Sequence, residues 1–298
     1  MLLANDLRVD AEGAPACEGL SFRSSGSHLL VLGAPRALFV AATGLTSPSR
    51  GTLTIRGVDS DEAVGLGLIA GAPLDPALPP KWTILEYVEW SARLSGAATA
   101  EARAAAKNAI ARLKLEPMAL LPFSKVNVPH ARRAAVVAGA LAAQTEVVAL
   151  EDPLAGLADD VVATYGAILV EALAGRAWMV FAPRIALASP LARAADEALV
   201  VSSTKLLGQG PPAELASSHW GSGEAARDVR FVARLDGSLD RVRAALAERG
   251  GSLEEQGAHV LIDLMGTSTS ELAEICAAAD VAILELMPVS RPIQRAFL

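Results

Sequence analysis

Cysteine is almost missing from this chain: its 298 residues hold two, Cys17 and Cys276, far apart in sequence. That spacing excludes a disulfide framework and fits a reducing compartment. Aromatics are also scarce, at 4% of residues, so a hydrophobic content of 52% comes largely from Ala and aliphatic side chains. Such a composition supports a sizeable core with helix-rich layers, and the length allows two domains. Positive charge is in deficit, with a net charge of −7, which argues against a nucleic-acid footprint. Long apolar runs are lacking as well. The longest, residues 134–143, is Ala-rich and ten residues long, too short to span a bilayer. The first ten residues, "MLLANDLRVD", carry no basic region and no apolar run, so they do not read as a signal peptide. The expectation is a cytoplasmic protein with no direct membrane insertion, reaching the inner face of a membrane through a partner if at all.

What is present centres on residues 29–57, "LLVLGAPRALFVAATGLTSPSRGTLTIRG". They read as a buried strand, a tight turn, a short helix, a Pro/Ser/Gly loop and a second strand. This is the layout around a phosphate-binding loop, whose pattern is G-x-x-x-x-G-K-[ST] between strand and helix. Gly33 ends the strand, but Ala34, Pro35, Arg36, Ala37, Leu38 and Phe39 follow, with no second Gly and no Lys. Pro35 also lacks the N–H that a phosphate cradle uses. Arg36 is the one cation beside the loop. It reads as an exposed first-turn Arg, with a surrogate phosphate ligand as the other reading.

Residues 43–59, "TGLTSPSRGTLTIRGVD", resemble the segment after the phosphate loop in ATP-binding subunits of ABC transporters. The resemblance runs in order through about residue 215 and ends on "ADEALVVSSTKLLGQGPPAEL". It implies an α/β fold: an ABC-ATPase-like core of P-loop NTPase (RecA-like) type over residues 1–220, with a helical subdomain at about 80–140. The nucleotide motifs depart from the family one after another. Aligned on Thr43 and Gly51, Gly33 stands about four residues too close to Thr43, as if the loop were shortened. The first-strand region, read as edge strands over residues 7–10 and 19–23, offers no aromatic for adenine. No Gln or Glu stands between Leu68 and Pro80 to sense a γ-phosphate. The place of the signature sequence, before a helix expected near Arg132, holds Asn127, Val128, Pro129, His130 and Ala131. Glu151 and Asp152 stand in swapped order at the carboxyl end of a strand over residues 147–150, where the family has Asp then Glu. They read as inherited carboxylates. After the strand "AWMVFAP" the family's His is replaced by Arg184 and Ile185.

The helix "TILEYVEWSARL" keeps its start signal, with Thr83 and Glu86 spaced as a capping box. In the family this region receives a short helix of the membrane subunit. Trp82, Tyr87 and Trp90 are thus candidates for partner docking, against ordinary packing of a small helical subdomain. Residues 221–228 read as a linker. Beyond them, alternation at Val229, Phe231, Ala233 and Leu235 gives a strand, and residues 229–298 spell β-α-β-β-α-β, a ferredoxin-like α+β layout. A capping box at Ser268 and Glu271 starts its second helix. Residues 221–298 carry eight Arg against twelve acidic residues, again disfavouring nucleic acid. The tail resembles that of ABC-2 type exporter ATPases, with Phe297 as a docking side chain.

The resemblance implies a non-catalytic scaffold or regulatory subunit, a pseudo-ATPase with no cofactor and no metal. Its partners would be an ABC-2 type membrane subunit, an intact ABC ATPase subunit, or both, in a homo- or heterodimer. The alternative is a divergent ATP-binding subunit that still couples ATP to transport.

Overall fold

The computed structural model describes residues 1–11, 14–217, 230–256, 259–264 and 269–288. The chain divides into two units, one over Met1–Ala213 and one beginning at Glu214. The linker read at residues 221–228, Ser268 and the docking candidate Phe297 lie outside the described residues.

The first unit runs β1 (Leu2–Ala11), β2 (Ala14–Arg23), β3 (His28–Gly33), α1 (Arg36–Ala42), β4 (Arg50–Ile55), β5 (Val58–Asp59), α2 (Ser60–Gly65) and β6 (Ile69–Ala72). Then come α3 (Ile84–Leu94), α4 (Thr99–Arg112), α5 (Pro129–Ala142), β7 (Val147–Glu151), α6 (Asp159–Leu173) and β8 (Ala177–Ala182). The elements α7 (Pro190–Ala194), β9 (Glu197–Val201) and β10 (Leu206–Gly210) follow, and α8 (Pro212–Ser217) bridges the division at residue 213.

An antiparallel sheet has the order β2-β1-β4-β5. The expectation that residues 7–10 form an edge strand is corrected here, because β1 is hydrogen-bonded on both sides. The strand also starts earlier, at Leu2. Its buried residues are Leu2 and Ala4, then Leu7 and Val9, so the inward phase changes from even to odd. An irregularity between Ala4 and Leu7, with Asp6 at φ 45°, absorbs the extra residue. A bulge of this kind keeps both halves facing the core, and it hides the first half from a period-two reading.

The second sheet has the order β10-β9-β3-β8-β7-β6. β9, β3, β8, β7 and β6 are parallel, and β10 runs antiparallel at the edge. Continuous apolar runs such as "AWMVFA" in β8, buried at every position, are what a parallel strand covered on both faces requires. Leu2, Leu7, Leu29, Val31, Leu53, Ile55 and Met179 meet α1 in one core. Phe39 of α1 packs edge-on against Phe181 of β8 at 5.6 Å. Full burial of each such side chain contributes about 1.5–3 kcal/mol.

The turn entering β3 is held by adjacent carboxylates at the start of β9. Glu197 Oε2 accepts from Ser25 N (2.9 Å) and Gly26 N (2.8 Å), and Asp196 Oδ2 from Ser27 N (3.0 Å) and His28 N (2.9 Å). Gln209 of β10 donates to Glu197 Oε1 at 2.5 Å.

The helices α3, α4 and α5 pack on one another. The start signal read at Thr83 is present as a full capping box: Glu86 N donates to Thr83 Oγ1 (3.2 Å) and Thr83 N to Glu86 Oε2 (2.7 Å). α5 approaches α3 closely at Gly139, where a Cβ would stand 2.9 Å from Ser91 Oγ. α5 begins at Pro129 and not near Arg132. Proline suits a first helical position, because its fixed φ is already helical and its missing N–H would have no intrahelical partner.

The second unit runs β11 (Arg230–Asp236), α9 (Asp240–Glu248), β12 (Ser252–Gln256), β13 (His259–Asp263), α10 (Thr269–Ala278) and β14 (Ala282–Pro288). All its strand pairs are antiparallel, in the order β12-β13-β11-β14. This is a split β-α-β arrangement. Its core joins Phe231, Ala233, Val242, Leu246, Ile262, Leu272 and Ile275.

Candidate functional site

The carboxyl ends of neighbouring parallel strands are where such sheets carry sites. Here β9, β3, β8 and β7 end at Val201, Gly33, Ala182 and Glu151. Gly33 has φ +94°, and a Cβ there would meet Val201 O at 2.3 Å, so glycine is required twice over. Its N–H donates to Pro183 O at 3.0 Å, and the N–H of Ala34 donates to Val201 O at 2.9 Å. Pro35 has no N–H. Helix α1 starts at the next residue. The turn therefore directs its available N–H groups into the sheet, against the carbonyls of neighbouring strand ends.

Arg36, at the first position of α1, reaches across to Glu151 and forms an ion pair with it. Its side chain is 78% exposed, that of Glu151 11%. The other oxygen of Glu151 accepts the N–H of Leu74, 3.1 Å away, from the segment after β6. One carboxylate thus joins the phosphate-loop position, the end of β7 and the lead-in to α3. The reading of Arg36 as an exposed side chain holds for its accessibility but missed this pair, since 115 residues separate the partners.

Asp152 follows directly after β7. Its φ is +38°, and its N–H donates to Phe181 O at 2.8 Å. Burial pushes its carboxyl above the usual carboxylate range; Arg133 and Arg184 oppose that shift and Glu151 reinforces it. Arg133, on α5, also donates to Ala155 O. Sequence reasoning missed Arg133 and Leu74 as neighbours of this site. Arg133 is distant in sequence from Asp152's strand neighbours, and Leu74 takes part through its main chain, which no side-chain pattern signals.

Residues 127–131, which the resemblance set at the signature position, lie at the start of α5. Asn127 and Val128 precede the helix, Pro129 and His130 open it, and Ala131 is fully buried. The N–H groups of Ala131 and Arg132 donate back to Val128 O at 3.0 and 3.3 Å. The His130 ring lies 5.9 Å from that of Tyr165. Among the described residues no hydrogen bond or ion pair joins residues 127–131 to Gly33, Arg36 or Glu151.

The three docking candidates of the helical region divide. Trp82 and Trp90 pack edge-on at 5.9 Å, with the Arg93 guanidinium 5.6 Å from the Trp90 ring, and Trp90 is 44% exposed. Tyr87 turns to Phe123 at 5.5 Å, and burial raises its pKa. Trp82 and Trp90 line an open cleft with Glu86, Glu89 and Arg93, while Tyr87 belongs to the packing of α3.

Among the described residues no group of three or more His, Cys, Asp or Glu could hold a metal ion. No helix among them is long and apolar enough to cross a membrane.

No family model matches the chain, and no curated protein does. Solved structures do. One is cbiO1 from Clostridium perfringens, part of the ABC transporter complex cbiONQ: 20% identity, TM-score 0.61, covering 72% of this chain and 89% of that one. A second is an ATP-binding subunit of an ABC transporter, with 16% identity and TM-score 0.57, covering 92% of this chain and 99% of its own. A dimeric bacterial ABC transporter cassette shows 15% identity and TM-score 0.60, over 71% of this chain and 98% of its own. At these identities the likeness is one of architecture. The chain has the fold of an ATP-binding cassette.

Proposed function

We propose that this chain is a non-catalytic cassette, a scaffold or regulatory subunit that neither binds nor hydrolyses ATP. The observation that carries this reading is the turn at Gly33 and Ala34, whose N–H groups are bonded to Pro183 O and Val201 O. A phosphate cradle needs such groups free and convergent. The Arg36–Glu151 pair supports the same reading, because the carboxylate at the end of β7 already has a cation and an N–H as partners. The residues present do not fit a magnesium-bound triphosphate.

The scaffold reading places the protein at the inner face of a membrane, on an ABC-2 type membrane subunit, on an intact ATP-binding cassette, or on both. The exposed Trp82–Trp90 cleft is the face proposed for the membrane subunit. Calorimetric titration with ATP and magnesium tests the catalytic half: no binding heat is expected, and micromolar binding overturns the reading. Co-purification followed by mass spectrometry tests the partner half; recovery of the chain without a membrane subunit or a cassette overturns it.

The second reading, a divergent ATP-binding subunit, is favoured by one observation: Glu151 and Asp152 still stand at the carboxyl end of β7. The same titration decides between the two.

A further inference from the structure

We propose that the cleft between residues 74–78 and the start of α5 binds a carboxylate carried on a short apolar body. The cleft has a volume of about 230 Å³ and is lined by Leu74, Asp75, Leu78, Arg132, Arg133 and Val136. It is distinct from the Gly33 turn, and the proposal does not rest on the nucleotide reading.

The two arginines carry the argument. They occupy the fourth and fifth positions of α5, whose first turn contains no acidic residue. Cations there meet the positive end of the helix dipole and each other, an arrangement that a bound anion relieves. Among the described residues neither forms an ion pair. Arg132 Nη1 lies 3.5 Å from Phe123 O, and Arg133 Nη1 donates to Ala155 O. Each guanidinium has five N–H donors, so most remain for a ligand. The planar fork of arginine matches a carboxylate through two parallel hydrogen bonds.

The remaining lining sets the rest of the ligand. Leu74 and Leu78 are half-buried and Val136 is buried, so an aliphatic body gains from entering. The cleft holds the share of about eight waters, below the range of pockets for drug-sized molecules. A few carbons fit and a nucleotide does not. Asp75 on the same cleft and Asp152 near Arg133 offset much of the two arginines' charge, which favours a monoanionic carboxylate over a phosphate dianion. Such a group can be a free short-chain acid or a Glu side chain of a protein beside an apolar residue.

The test uses the full chain, with binding followed by calorimetry and by amide chemical shifts. The probes are hexanoate, hexanol and a capped peptide holding one Glu between leucines. Binding of hexanoate or of the peptide, with cleft amides shifting and hexanol silent, is the expected result, and the responding probe identifies the source. The Arg132→Ala variant weakens that binding about tenfold to a hundredfold, the effect of losing a charge-assisted hydrogen bond. Arg132→Lys, which keeps the charge but loses the fork, weakens it less. Arg132 is exposed, and circular dichroism confirms that both variants fold. Silence of both acids overturns the proposal. So does hexanol binding as well as hexanoate, or binding unchanged in Arg132→Ala.

Discussion

The Arg36 guanidinium rests on the Glu151 carboxylate, joining the first turn of α1 to the end of β7. The two partners are not equivalent. Arg36 is mostly solvated, whereas Glu151 is nearly buried and also accepts from Leu74 N. Glu151→Ala is therefore expected to cost about 1–3 kcal/mol, because a partly buried N–H loses its acceptor. Arg36→Ala is expected to cost about 0–1 kcal/mol, as an exposed half of an ion pair does. Hydrogen exchange at Leu74 separates the cases: its amide exchanges faster in Glu151→Ala and is little changed in Arg36→Ala. Equal effects would contradict the asymmetry.

Gly33→Ala tests the turn itself. Positive φ alone costs an L-residue about 1–2 kcal/mol, and here the added carbon also meets Val201 O at 2.3 Å. The expected result is a loss well above the first figure, seen as a drop in thermal midpoint of several degrees, with Ala34→Gly as the tolerated neighbour. A Gly33→Ala variant as stable as the parent would mean that the turn has another conformation available.

Two carboxyl groups should respond to acid in opposite senses. Asp152 has a folded pKa raised above its unfolded value of about 3.9. The folded state then holds the proton more tightly, and the contribution of Asp152 to stability falls as pH rises from about 4 through the folded pKa. For Glu197, burial raises the pKa, but hydrogen bonds from Gly26, Gln209 and Ser25 outweigh it and the net shift is downward. Its contribution is full above about 4.3 and is lost as pH falls through the folded pKa. Thermal unfolding from about pH 3 to 7 checks both signs. Asp152→Asn should gain on the parent toward neutral pH, and Glu197→Gln should lose.

On the proposed reading, building a phosphate loop at Gly33 should not give hydrolysis. A variant with four residues inserted after Gly33, including a Lys and a Thr, still lacks a Gln or Glu after β6 and a His after β8. Its ATPase rate is expected to stay at background. By the same reasoning, a one-to-one pair of this chain with an intact cassette is expected to hydrolyse ATP poorly, since residues 127–131 supply no Ser–Gly signature. A steady-state assay on the purified pair reads this, and robust turnover would refute it.

Much of the architecture was legible because burial writes itself into apolar runs. The apolar runs at residues 29–32 and 147–150 read directly as buried strands and residues 177–183 as another, and Thr83 with Glu86 marked a helix start that geometry bears out. The second unit's alternation at Phe231, Ala233 and Leu235 likewise placed β11. Legibility failed where the backbone, and not the side chain, does the selecting. The bulge at Asp6 shifted the phase of β1, and Pro129 started α5 three residues earlier than the resemblance implied. The site was legible in its residues but not in its pairings. Glu151 meeting both Arg36 and Leu74 N depends on strand order, which local sequence does not encode.

The turn before β3 has a consequence for drift across generations. Asp196 and Glu197 hold it through the N–H groups of residues 25–28, and a main-chain amide is the same whichever side chain it carries. Substitution is then cheap at Ser25 and Ser27 and costly at the two acids that grip them. In an alignment of descendants of this gene, the serines should wander while Asp196 and Glu197 stay fixed. Constancy would then sit on the holder of the turn, some 170 residues away from the turn it shapes.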